Sequence, residues 1–243
     1  MRLPLICAQC MSDNIESAQI LKLAEFLDDN VYEVECPKGH RTITVLQQQK
    51  FEILFEIGAY AIVDGYYREA VSSFTSSLER FYEFFVRASL IEAKVAANTI
   101  ADVWRLVATQ SERQLGAFIF LFTLTTGSAP LTLSSKQIEF RNAVIHKGVI
   151  PSRQEAELYG NSVLNIIRAG LNTAKQYFPN GVTQAAMQVL MDANKQAAER
   201  GTRTSTASLG TIIGLEVADQ QHHARTLQEA ITQLPNWRHR ARA

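Results

Sequence analysis

At 243 residues, with 47% hydrophobic and 20% charged side chains and only six prolines, the chain has the composition of an ordered globular protein, enough for one sizeable core and a small appendage. Lys plus Arg number 24, as do Asp plus Glu, so no net field draws the molecule to nucleic acid or an anionic membrane, and any nucleic-acid contact must come from a local patch. The longest apolar run, Leu115 to Leu124, falls short of the roughly 20 residues of a membrane span. The opening Met1-Arg2-Leu3-Pro4-Leu5-Ile6 runs into a cysteine pair instead of a signal-peptide core, which predicts a cytoplasmic protein with no membrane partner.

All three cysteines lie in the first 36 residues, and an odd number without a signal argues for metal rather than a disulfide framework. Cys7 and Cys10 form a Cys-x-x-Cys knuckle, and Cys36 and His40 form Cys-x3-His across Pro37-Lys38-Gly39. Three thiolates and an imidazole in two close pairs are what a tetrahedral zinc site requires, and four protein ligands leave no open position, so the expected role is structural. A redox Cys-x-x-Cys would want a thioredoxin-like βαβ context that is lacking here, and cysteines that merely pack are the plainer alternative. Around the second pair, residues 31–45 alternate β-formers on both sides of the Pro-Lys-Gly turn, a hairpin pattern, while 13–26 is ambiguous between a short helix and a loop.

From Leu46 the texture changes to long apolar-periodic stretches, predicting helices at about 46–62, 66–94, 98–126, 134–147, 152–178 and 182–200. Ala70, Phe74, Leu78, Phe81, Phe85 and Leu90 form a stripe fit for burial. After Gly201 the small polar run reads as a linker, followed by apolar residues 212–217 and a last helix near 224–234. The predicted organisation is therefore a mostly α protein: a zinc-binding ribbon or knuckle over 1–45, a helical bundle over 46–200, and a linker with an accessory tail over 201–243. His222 and His223 read as solvated side chains, and the Trp237 to Arg242 tail pairs a stacking ring with cations, as a frayed basic end or a single-strand RNA contact would.

The most informative stretch of the bundle is Glu139-Phe140-Arg141-Asn142-Ala143-Val144-Ile145-His146-Lys147-Gly148. Arg141 and His146 are five residues apart, about 140° around an ideal helix, so they do not converge in one straight helix. Asn142 and His146, four apart, share a face, and Gly148 as the residue after the helix places His146 in the last turn, where the dipole favours imidazolium. From spacing alone, Arg141 reads as a surface cation and His146 as a capping residue, since both types favour helix C-termini. This Arg-x4-His motif with a polar residue after the arginine, near a helix end and before another long helix, resembles the HEPN family of small helical-bundle nucleases. The upstream segment from Glu69 through Glu79-Arg80-Phe81-Tyr82 to Phe85 also looks like an early helix of that family, and the likeness covers roughly residues 50 to 178.

The resemblance implies a HEPN-like bundle acting as a metal-independent endoribonuclease, a toxin or effector of bacterial anti-phage defence or of a toxin–antitoxin system. It implies RNA as substrate, a homodimer with two motifs facing one cleft, and a cognate antitoxin or defence-system protein as a further partner. Arg141, Asn142 and His146 are then the expected catalytic residues, with Glu79, Arg80 and Lys147 on the substrate side and no cofactor for catalysis. The alternative is a non-catalytic HEPN-like module that docks a partner protein or nucleic acid. A partner chain for a nucleotidyltransferase is a third option, resting only on Tyr82 and other helix tyrosines.

Overall fold

The computed structural model describes residues 2–13, 22–199, 203–215 and 225–234. His222, His223 and the Trp237 to Arg242 tail lie outside these. The described residues divide into two compact units, one of 2–13, 22–48, 186–199 and 203–210, the other of 49–185, 211–215 and 225–234.

In the first unit, β1 (Leu3–Leu5) pairs antiparallel with β2 (Lys22–Ala24), and the short α1 (Ala8–Ser12) lies between them in sequence. The predicted hairpin is present as β3 (Val31–Glu35) and β4 (Arg41–Leu46), with Val31 opposite Val45 and Glu35 opposite Arg41. The structure departs from expectation at residues 203–207, read as linker, which form β5 (Arg203–Ala207) parallel to β4 in the order β3-β4-β5. Thr44 and Ser205 hydroxyls meet at 3.2 Å across that pair. Parallel neighbours need a long crossover, and here the intervening chain is the whole bundle. Val31, Ile43 and Val45 form the buried face of the sheet and pack with Ala193 and Ala197 of α8 (Pro179–Glu199).

The second unit contains α2 (Lys50–Val63), α3 (Tyr67–Glu92), α4 (Ala97–Arg105), α5 (Ser111–Thr126), α6 (Ser135–Lys147), α7 (Arg153–Tyr177), the start of α8, and α9 (Leu227–Thr232). Helix α3 is central, packing on α2, α5, α6 and α7. Five of the six residues of its predicted stripe are core: Ala70, Phe74, Leu78, Phe81 and Phe85 are buried and Leu90 is half-buried, and the Phe81 ring meets Phe51, Phe85 and Phe118 at 5.8, 6.2 and 5.9 Å between centroids. Each such ring contributes about 1.5–3 kcal/mol by leaving water.

One predicted helix, 98–126, is in fact two. Gln110 adopts an extended backbone (φ −133°, ψ 115°) that no α-helix holds, and the buried Gln114 amide donates to the Ala108 carbonyl at 2.6 Å, stabilising the turn between α4 and α5. Helix α8 starts at Pro179, where a missing N–H costs nothing. Its first turn is held by Glu92, which accepts from the Gly181 N–H at 2.7 Å and the Asn180 amide at 3.2 Å; these bonds hold the Glu92 carboxyl below its ordinary range. Only glycine fits at 181, since a Cβ there would lie 2.0 Å from the Ala88 carbonyl oxygen.

Candidate functional site

Two places concentrate chemistry. In the first unit, Cys7 caps the N-terminus of α1, whose turn brings Cys10 back beside it, with the Met11 N–H donating to the Cys7 carbonyl at 3.1 Å. The β3–β4 turn does the same for the second pair. The Gly39 N–H donates to the Cys36 carbonyl at 2.8 Å and the Cys36 N–H to the His40 carbonyl at 3.1 Å, a reversal that places Gly39 at φ +77°, a region glycine enters without penalty.

These turns bring the ligand atoms of Cys7, Cys10, Cys36 and His40 within 4.8 Å of one another, the one such group of three or more His, Cys, Asp or Glu residues among those described. Cys10 Sγ is 3.8 Å from Cys36 Sγ and 3.4 Å from His40 Nδ1, and Cys7 Sγ is 3.9 Å from the same nitrogen. A tetrahedron with metal–sulfur bonds of about 2.3 Å has sulfur–sulfur edges of about 3.8 Å, so the four atoms fit a metal ion such as zinc, with Nδ1 as the imidazole ligand. All three cysteines are free and buried. Burial pushes the Cys10 thiol up to about 11, and its contacts with Cys36 and Cys7 add to the rise. Burial opposes the Cys36 thiolate too, but the N–H groups of His40 and Lys38 and the thiols of Cys10 and Cys7 outweigh it and bring that thiol below its ordinary value. Crowded thiols that resist ionising together are the setting in which a cation is most stabilising.

In the bundle, α6 is opened by a capping box in which Ser134 accepts from the Gln137 N–H, and closed by Gly148 in the left-handed region. One stripe of α6 faces the core. Gln137 donates to Ser162 of α7 at 2.6 Å, Phe140 meets the Tyr159 ring at 5.7 Å, and Val144 is fully buried. Positions 137, 140, 141 and 144 follow the i, i+3, i+4, i+7 pattern of a single helix face, so Arg141 belongs to the inward stripe. Its Nε is buried without a hydrogen-bond partner among the described residues, and its charge pulls on the ionisation of Glu79, Tyr82 and Tyr159. Burial pushes the Glu79 carboxyl up, Arg80 and Arg141 pull it back, and Glu112 adds to the rise. Tyr82 is also raised, by burial first and then by Tyr159 and Glu79. Tyr159 is raised chiefly by burial, against the hydroxyl bond it shares with Thr75 at 2.8 Å.

The other expected residues point elsewhere. His146 and Lys147 are exposed in the last turn of α6, and Asn142 is half-buried. Neither Asn142 nor His146 makes a side-chain hydrogen bond among the described residues, so the turn they share does not by itself fix the imidazole. Arg80 pairs with Glu83 and reaches Gln114 at 3.3 Å, and Glu83 also holds Arg87 at 3.1 Å. Glu83 is therefore ion-paired on both sides, with Arg80 and with Arg87.

Sequence reasoning missed the interior neighbours of Arg141, namely Tyr82 and Tyr159, because helix periodicity marks them only as core. It also passed over Glu52 and Glu56, two carboxylates in the otherwise apolar α2, whose very position in an apolar run was the available signal. No described helix is long and apolar enough to cross a membrane. Comparison with protein families, with curated proteins and with solved structures found no match for this chain.

Proposed function

We propose that the bundle is a HEPN-type, metal-independent endoribonuclease acting as a homodimer, a toxin or effector of bacterial defence or of a toxin–antitoxin system, with a structural zinc ion held by Cys7, Cys10, Cys36 and His40. The observation that carries this reading is the division of labour on α6: Arg141 held inward beside Glu79, and a solvent-accessible His146 at the helix end. A positioned guanidinium suits the charge that develops on a phosphorane, and an accessible imidazole suits proton transfer. The 2′-hydroxyl attacks the adjacent phosphorus, its proton passing to one imidazole while the P–O5′ bond breaks and the departing oxygen takes a proton from another. The products are a 2′,3′-cyclic phosphate and a free 5′-hydroxyl.

Because the inward and outward residues do not converge within one copy, the reading calls for two α6 helices across a twofold cleft. Surface chemistry supports this. Of the thirteen residues of α6 only Val144 is buried, and Phe120, Leu124 and Ile150 stand in solvent at 78, 82 and 82% exposure, apolar side chains that a second copy would cover. Light scattering at micromolar concentration is expected to give a dimer. Cleavage of RNA, not DNA, should survive chelation of divalent ions. It should fall about 10²–10⁴-fold in His146→Ala and about 10²–10³-fold in Arg141→Ala. Activity unchanged in His146→Ala overturns the assignment. The lack of a bond between Asn142 and His146 favours a second reading, a non-catalytic module that docks a partner protein or nucleic acid, and RNA binding without cleavage by the wild type would establish it.

A further inference from the structure

Glu52 and Glu56 sit one turn apart on α2, 4% and 3% exposed, and both grip the same short stretch of returning chain. Glu52 accepts from the Leu215 N–H at 2.9 Å and the Thr211 hydroxyl at 3.1 Å, and Glu56 accepts from the Ile212 N–H at 3.0 Å. From α7, Arg168 takes the carbonyl side of that stretch, donating to Ile212 O at 3.2 Å and also to Arg225 O. Ile212, Ile213 and Leu215 are buried, so apolar contact alone would seat the turn. Two buried carboxylates add a desolvation cost that apolar side chains of similar size would avoid. What they add in return is sensitivity to protons.

We propose that Glu52 and Glu56 make the attachment of residues 211–215 to α2 a proton-dependent latch, tightest in mild acid and looser at neutral pH. From α7, Lys175 favours the Glu52 charge, and Arg168, which bonds the Ile212 carbonyl, is set against Arg225. The buried residues of α3 and α9 are uncharged. Burial, with the Glu52 charge beside it, pushes the Glu56 carboxyl up to about 7 although the Ile212 N–H pulls it down. The sign follows from linkage. A carboxyl that binds its proton more tightly when latched stabilises the latch below its free value of 4.5, loses that contribution as pH rises to about 7, and changes little above.

The latch does not depend on the nuclease reading. Its test is amide hydrogen exchange of the full chain between pH 5 and 8, corrected for the intrinsic rate. Protection at Ile212 and Leu215 should fall by about tenfold or more from pH 5 to 7 and level off above. The core amides of α3 should show no such fall, and Glu56→Gln should flatten the profile at the turn. Wild-type protection that is flat or rising from pH 5 to 7 overturns the proposal without any variant. So does the same fall in α3, which would mark a global effect, or a profile that survives Glu56→Gln.

Discussion

At the N-terminus, two tight turns, each a handful of residues long, set up the two ligand pairs, and α1 packing on β4 brings all four ligand atoms within 4.8 Å of one another. On α6, Arg141 and His146 lie just as near in sequence, yet the helix that carries them turns one inward to Glu79 and Tyr82 and leaves the other in solvent. Short turns convert close spacing into close atoms. A helix converts spacing into direction, and whether two directions meet depends on what packs around them. The candidate metal site is therefore complete within its own unit, whereas α6 acquires meaning only from α3, α7 and, in the proposed dimer, a second copy.

That contrast can be broken from either side. Chelation, or Cys36→Ser, should abolish binding of about one metal ion per chain and unfold the first unit, since such ions contribute about 10–16 kcal/mol to small modules. Elemental analysis with circular dichroism should show the metal gone and most of the helix signal kept. Loss of all helix would contradict the independence of the bundle. Phe81→Ala removes a ring packed on Phe51, Phe85 and Phe118 and should cost about 3–5 kcal/mol in a denaturant titration while the metal stays bound. Gly181→Ala forces a Cβ onto the Ala88 carbonyl and should cost about 1–3 kcal/mol by the same measurement. Ser134→Ala deletes the α6 cap and should cost about 1 kcal/mol, seen as faster amide exchange in the first turn of α6 and unchanged exchange in α3.

Legibility in the sequence follows the same division between local and distant causes. The ligand pairs, the hairpin, the α3 stripe and the cap at Gly148 are readable because each rests on neighbours within a few residues. The break between α4 and α5 is not, since no proline or glycine marks it and its stabiliser, Gln114, lies six residues beyond the carbonyl it bonds. Strand β5 looked like linker because Thr-Ser-Thr is a pattern that linkers share, and its partner β4 lies about 160 residues earlier. Spacing along α6 does not say that Arg141 will face inward, nor that Glu79, Tyr82 and Tyr159 will be there to receive the charge.

The central claim, that α6 carries an Arg–His pair for cleavage through the 2′-hydroxyl, is tested most directly by the ends of the RNA products. An internal nucleophile leaves a 2′,3′-cyclic phosphate upstream and a 5′-hydroxyl downstream, whereas a metal-activated water commonly leaves a 5′-phosphate. Wild-type protein in excess chelator should give the cyclic phosphate and 5′-hydroxyl, and His146→Ala should give no product above background. Products bearing 5′-phosphates and formed only with magnesium would contradict the assignment of Arg141 and His146.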